Sequence, residues 1–350
     1  MTRPITERRL AMLYVGIDVH LKRSSIHVLD ENGKQVHADT IRGSRIKVLA
    51  ELEKVKEKFG EKMAVCFESS CGAGWFHDQL AAIVERVVVA HPGQLRMIFR
   101  AKRKNDRVDA KKLATLLFLD QVPPVYVPKP EVRAWRELIE HRQGLIRKRV
   151  RVKNELRALL RTQGMEGPRG LWTKAGRAWL RAAGLPNELT ALKRDILTDE
   201  LEALGPQTRR VEKALAETAK RYPAVTLLRT IPGVGIRTAE AVVAYIDNPR
   251  RFTKTERIGS YFGVVPCQNE SAGKNRLGHI TKQGPGTVRK LVAEAAWVSI
   301  RRSPRIRAFF ERVMHGKKER KKIALVATAH HLLRVMLGML KTGETWREVA

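Results

Sequence analysis

Over the first third of the chain, short apolar runs alternate with polar turns. Leu13-Tyr14-Val15-Gly16-Ile17-Asp18-Val19 is apolar throughout except for one carboxylate. Ser25-Ile26-His27-Val28-Leu29-Asp30 and Gln35-Val36-His37-Ala38-Asp39-Thr40 flank an Asn32-Gly33 step. Two β-prone runs around Asn-Gly predict a hairpin. Between residues 44 and 59, Ile46, Leu49, Leu52 and Val55 recur every three positions, which is a helical period. Met63-Ala64-Val65-Cys66-Phe67-Glu68 reads as a strand, 74–84 as a helix and Arg86-Val87-Val88-Val89-Ala90 as another strand.

The predicted order is strand, strand, strand, helix, strand, helix, strand. That is the order of an RNase H-like α/β domain over residues 1–128; a generic α/β sheet more often alternates from the start. After Pro128 the texture changes. Residues 131–161 contain no Pro and a single Gly, and Leu138, Leu145, Val152 and Leu159 repeat at seven, a coiled-coil-like seam. A loop-rich break is expected over 164–184. A second helical stretch follows over 187–221, with Pro206 inside it, so a kink or two shorter helices are expected there. Residues 129–222 thus read as a basic helical connector whose helices pair with each other or with another copy. In the third segment, 223–350, helical stretches flank Ile231-Pro232-Gly233-Val234-Gly235. That pattern describes a helix-hairpin-helix, in which Gly233 and Gly235 permit positive φ and turn bare backbone N–H groups towards a phosphate. This segment reads as mainly α, with a polar, Gly-rich stretch over 267–286 in which the serine sits on a flexible loop. The helix at 324–340 reads as ordinary core packing.

Charge narrows the partners. Lys and Arg number 68 against 36 Asp and Glu, a net charge of +32 over 350 residues. A polyanion is the natural reason to carry such self-repulsion, and nucleic acid is the default. With 43% hydrophobic residues the chain can bury real cores, which excludes wholesale disorder. The cysteines, Cys66, Cys71 and Cys267, are too few for a disulfide scaffold and fit a reducing compartment. No membrane span and no signal peptide are expected. The densest basic stretch is 141–153, where Arg142, Arg147, Lys148, Arg149, Arg151 and Lys153 stand without an acid between them. Residues 301–322 add ten Lys or Arg against two Glu.

Two sets of residues carry candidate chemistry. Asp18 and Glu68 sit at the tips of strands that would be neighbours in one small sheet, and Asp106 and Asp109 are spaced i, i+3, one face of a helix. Four converging acids repel one another unless cations lie between them. Hard divalent ions with oxygen ligands answer that need, and a pair of Mg²⁺ ions supports phosphodiester cleavage. Singly, each acid reads as well as a turn-former, a helix cap or a surface ion pair. The second set is Ser271, before Ala272-Gly273-Lys274, with Arg276, His279 and Lys282 following. A hydroxyl among cations suits a nucleophile approaching a phosphate, although a surface loop touching backbone phosphates has the same composition. Cys66 and Cys71 make a lone pair without further ligands, and Cys66 fits a buried strand face. His20, His27, His37 and His77 lack metal-ligand spacing.

Taken in order, Gly16-Ile17-Asp18-Val19, Phe67-Glu68-Ser69, Asn105-Asp106-Arg107-Val108-Asp109-Ala110, Ile231-Pro232-Gly233-Val234-Gly235, and Ser271-Ala272-Gly273-Lys274 with Thr281-Lys282-Gln283-Gly284 resemble one family. It is the four-carboxylate (DEDD) transposases of bacterial insertion sequences, also called bridge recombinases. The resemblance spans almost the whole chain. It implies Mg²⁺ held by Asp18, Glu68, Asp106 and Asp109, and Ser271 as a nucleophile that forms a covalent phosphoserine link with DNA. It also implies a RuvC-like RNase H fold carrying the acids and a structured guide RNA that directs the choice of donor and target DNA. The separation of the acids from Ser271 in sequence makes a dimer or tetramer that joins them in trans the expected state, in the bacterial cytoplasm at the nucleoid. Arg147, Lys148, Arg151, Gly233, Gly235, Lys274, Arg276 and Lys282 are the expected nucleic-acid contacts. The family's usual Ser-Ser-Gly-Gly reads Glu270-Ser271-Ala272-Gly273 here. Two rival readings are a hydrolytic junction-resolvase-type nuclease using the same acids, and a nucleic-acid-binding protein that does no chemistry.

Overall fold

A computed structural model describes residues 12–60, 62–98, 106–271 and 274–348. The chain divides into two compact units, Met1–Arg133 and Ala134–Ala350.

The first unit is built on β1 (Met12–Asp18), β2 (Arg23–Leu29), β3 (Gln35–Arg42), β4 (Lys62–Glu68) and β5 (Arg86–Ala90), in the sheet order β3-β2-β1-β4-β5. The first three strands meander antiparallel, whereas β1–β4 and β4–β5 are parallel. This mixed sheet is consistent with the RNase H-like reading. Successive side chains of a strand face opposite sides, and both sides are covered. Leu13, Val15, Ile17, Val65 and Phe67 pack against α1 (Arg45–Phe59) and α2 (Ala73–Ala81) through Val48, Leu52, Val55, Phe76 and Leu80. Phe67 and Phe76 meet edge-to-face at 5.0 Å, a contact of about 1 kcal/mol beyond its buried area. On the other side, Ala64, Cys66, Val88 and Ala90 meet α3 (Pro92–Ile98) and α4 (Asp106–Phe118) through Leu95, Leu113, Leu116 and Leu117. Burial pushes the Cys66 thiol up to about 12, so it is an inert core residue rather than a metal ligand.

The second unit is helical apart from one hairpin. It opens with α5 (Pro130–Thr162), whose first turn belongs to the first unit, followed by α6 (Lys174–Ala182) and α7 (Glu188–Lys220). Leu145, Val152, Leu156 and Leu160 of α5 share a cluster with Leu197, Leu201 and Leu204 of α7 and Leu180 of α6, so the two long helices meet within one chain. Two expectations need correction here. The stretch 164–184 is not only loop, because α6 forms within it and is capped by Thr173, whose side chain accepts from Gly176 N–H. Of the two alternatives expected at Pro206, a kink or two shorter helices, the second is overturned: α7 is one helix of 33 residues. The proline costs one backbone donor, and buried Leu201, Leu204 and Leu215 on either side hold the helix in register.

The remaining core is formed by α8 (Pro223–Leu228), α9 (Ile236–Ile246), α10 (Arg257–Phe262), α11 (Gly286–Arg302), α12 (Pro304–Met314) and α13 (Lys321–Thr342), joined by Trp135 and Ile139 of α5 and Leu215 of α7. Residues Lys318–Thr342 are long and apolar enough to pass for a membrane span, contrary to the expectation that no stretch comes close. Leu332, Leu333, Met336 and Leu337 are nevertheless fully buried in this core, as the core-packing reading anticipated. The polar stretch 267–286 is a further correction. It contains a β-hairpin, β6 (Pro266–Ser271) and β7 (Lys274–Ile280), rather than loop alone.

Candidate active site

The carboxylate positions gather at one edge of the sheet. In the parallel pairing Ile17 lies opposite Phe67, so Asp18 and Glu68 follow side by side at the C-terminal tips of β1 and β4. Alternation places both on the face that α4 covers, because Gly16 and Cys66 precede them on it. Gly16 is what lets α4 come close: a Cβ there would lie 2.1 Å from the Ala110 carbonyl and 2.3 Å from the Ala114 nitrogen. Further back, Tyr14 meets Phe118 edge-on at 5.3 Å. The helix therefore runs antiparallel to β1, and its first turn, with Asp106 and Asp109, projects towards the edge that carries Asp18 and Glu68.

At that edge Asp18 lies 3.1 Å from His20 Nε2, and Lys112 Nζ donates to Asp109 at 3.1 Å. Glu68 is half-buried; the side chain of Asp106 lies outside the described residues. Among the described residues no three metal-ligating side chains converge. The donor type still fits a hard cation, since Asp18, Glu68 and Asp109 each offer carboxylate oxygens. Ser25, in register with Asp18, and His27, in register with Gly16, are buried on the same face, and among the described residues Ser25 Oγ and His27 Nε2 have no hydrogen-bond partner.

Ser271 closes β6 opposite Lys274. The side chains of Glu270, Ser271, Lys274 and Arg276 lie outside the described residues, as do Ala272 and Gly273 altogether. What is described is the base of the hairpin. Gly263 and Gly284 both have positive φ, and a Cβ on either would strike the backbone of Gln283 or Tyr261. Thr281 N–H donates to Val265 O at 2.9 Å, Lys282 N–H to Gly263 O at 3.1 Å, and Arg289 Nη1 to the carbonyls of Phe262 and Gly284. Lys282 itself has φ 54° and is exposed. The serine strand thus springs from a backbone clamped to α10 and α11.

The expected nucleic-acid contacts divide. Arg147, Lys148 and Arg151 are exposed on α5. Elsewhere in the basic stretch 141–153, Arg142 donates to Glu212, and Lys153 lies 4.9 Å over the Trp172 ring. Between α8 and α9, Gly233 has φ 96° and lies so close to Ser299 that a Cβ would come within 2.6 Å, so packing on α11 already explains this glycine. Gly235 caps α9 facing open space. Sequence reading passed over Ser25 and set His27 aside for want of metal-ligand spacing; their only signal was two polar positions alternating with Ile26 and Val28 in β2. It also missed Glu240, a buried acid on α9 paired with Arg237 at 3.0 Å.

Comparison with known proteins supplies the class. Residues 15–164 match the DEDD transposase domain model of the IS110 type, described as a transposase, and residues 225–311 match that of the transposase IS116/IS110/IS902 family. The first span contains Asp18, Glu68, Asp106 and Asp109, and the second contains Ser271. Among relatives, a probable family 20 transposase of Pseudomonas aeruginosa is 27% identical over 256 residues, covering 70% of this chain and 74% of that protein. The transposase of insertion sequence element IS1111A of Coxiella burnetii is 24% identical over 351 residues, covering 95% and 91%. That of IS1328 of Yersinia enterocolitica is 26% identical over 302 residues, covering 82% and 84%. The fold and these matches define a transposase, an enzyme that cleaves and rejoins DNA. Within that class, the chain belongs to the IS110/IS116 family of insertion-sequence transposases.

Proposed function

We propose that this transposase exchanges DNA strands through a covalent phosphoserine intermediate. The observation that carries the metal half of the reading is the edge on which Asp18 and Glu68 stand side by side with the first turn of α4. Asp18, Glu68, Asp106 and Asp109 would hold Mg²⁺, which when bound supplies positive charge for the reacting phosphate. The Ser271 hydroxyl oxygen attacks the phosphorus, and the bond from phosphorus to the leaving nucleoside oxygen breaks. The serine proton is lost to a base and the leaving oxygen takes up a proton. In rejoining, a hydroxyl of the recipient strand attacks the phosphoserine and the serine oxygen leaves. A phosphoester is kept throughout, so rejoining needs no external energy source. Attack by water would discard that bond. Lys274, Arg276 and Lys282 would offset the charge that develops on the phosphate. A structured guide RNA selecting the DNA, a dimer or tetramer, contacts from Gly233 and Gly235 to backbone phosphate, and action at the nucleoid in the cytoplasm complete the reading.

The test is a denaturing gel of protein incubated with labelled donor DNA and Mg²⁺. A slow, protease-sensitive species is expected, absent in Ser271→Ala and present in Ser260→Ala. Free ends without attached protein, with rejoining blocked, would install the hydrolytic nuclease instead.

A further inference from the structure

Beside the carboxylate edge, β2, β3 and α4 enclose a cavity of about 380 Å³ lined by His27, Gln35, Asp39, Arg107 and Lys111 among others. Its chemistry differs from that of the edge. Lys111 and Arg107 lie on α4, in the same turns as Asp106 and Asp109 but directed to the β2–β3 side. Among the described residues the one acid in the lining is Asp39, which accepts from the Thr40 backbone N–H at 2.6 Å, and Arg107 Nε reaches Thr40 Oγ1 at 3.2 Å. At the back stands His27, 5% exposed, with a buried Nε2 that has no hydrogen-bond partner among the described residues. A buried polar atom without a partner costs on the order of 1–3 kcal/mol, and a donor or acceptor entering the cavity would relieve that cost.

We infer that this cavity seats a backbone phosphate of the DNA strand that runs to the carboxylate edge, with Lys111 and Arg107 facing its charge and His27 Nε2–H donating to a phosphate oxygen. Only the choice of DNA rests on the strand-exchange reading above. A phosphodiester fits the lining in three ways. It is an anion for two cations, it offers acceptor oxygens to a lone imidazole donor, and it is short enough to enter between β3 and α4. Burial first, and the neighbouring Lys111 second, hold the His27 imidazole below its usual range, so at neutral pH it acts as a hydrogen-bonding group and not as a third charge. The strand itself would then be fixed on one side of the reacting phosphate, so that position along the backbone, rather than base identity, is set here.

The full-length protein with isotope-labelled histidine, in EDTA so that no cleavage occurs, allows a direct test. A short DNA duplex should shift the His27 imidazole signal, assigned by its loss in His27→Gln. Inorganic phosphate at high concentration should move the same signal in the same direction. Lys111→Gln should weaken DNA binding roughly three- to ten-fold and lower the slope of log affinity against log salt by about 1, whereas Lys54→Gln, on the exposed face of α1, should not. A His27 signal unmoved by DNA that is demonstrably bound overturns the inference. So does a Lys111 variant no different from the Lys54 variant, or a signal moved by an RNA duplex and not by DNA. None of these outcomes depends on whether Ser271 forms an adduct.

Discussion

Glu240 shows what one residue's surroundings can do. It lies 1% exposed on α9, and burial pushes its carboxyl up to about 7 against the pull of Arg237 and Arg142, with Glu212 adding to the rise. Its Oε1 is 3.0 Å from Arg237 Nη1 without hydrogen-bond geometry, and Oε2 has no hydrogen-bond partner among the described residues. The sign follows from linkage. The folded-state value lies above the unfolded one, so stability is greatest at low pH and falls as pH rises from about 4.5 to about 7, by on the order of 3 kcal/mol. Glu240→Gln keeps the shape and removes the charge. Thermal melts should show little change near pH 5 and a higher Tm than the parent at pH 8; an unchanged or lower Tm at pH 8 would show that the ion pair with Arg237 outweighs its burial. None of this was legible in the sequence, where Glu240 is an acid three residues after an arginine and the groups that face it come from α5 and α7. Gly16 was legible as part of a motif, but its reason, the Ala110 carbonyl pressed against it, is a contact between segments far apart in the chain.

Elements were read well where apolar periodicity was strong. The succession of strands and helices in the first unit, the Asn32-Gly33 hairpin and the first long helix follow from alternation and from heptad-like repeats, and the Leu145–Val152 stripe is buried as the spacing required. The reading failed where few apolar residues mark the period. The β6–β7 hairpin has polar strands around Ala272-Gly273, so composition pointed to a loop, and α6 is only 9 residues long. On α5 the count of basic residues was right but their availability was not. Arg142 and Lys153 are engaged within the unit and Arg149 is half-buried, which leaves Arg147, Lys148 and Arg151 as the exposed cations of the stretch 141–153, with Glu155 only 3.6 Å from Arg151. If this face grips phosphates, Arg147→Glu with Arg151→Glu should flatten the salt dependence of DNA affinity by about 2 in slope. Lys148→Glu should add about one more, whereas Arg142→Glu should act through stability, seen as a lower Tm. An unchanged slope in the double variant would mean that the face is merely solvated.

For the molecule as a whole, the sign of the charge and the sign of the site are opposed. A chain of +32 draws DNA in at long range, yet the edge proposed to meet the reacting phosphate presents carboxylates. Without a cation those acids repel the phosphate, so they cost binding and make sense only if they hold metal. This sets apart two quantities that a merely structural role would move together. Asp18→Ala, Glu68→Ala, Asp106→Ala and Asp109→Ala should each lose cleavage by at least on the order of a hundred-fold in Mg²⁺, since a small octahedral ion tolerates a missing ligand poorly. In EDTA the same variants should bind DNA at least as tightly as the parent, because one repelling charge is gone, and their thermal melts should be close to the parent's. Asp109 is the sharpest case, because Lys112 already pairs with it at 3.1 Å. If that pair is only structural, Asp109→Ala will cleave normally with a lowered Tm, and Lys112→Ala will match it. If Asp109 is a ligand, Asp109→Ala will be inactive with its fold intact, while Lys112→Ala will keep cleaving and will need no more Mg²⁺ than the parent.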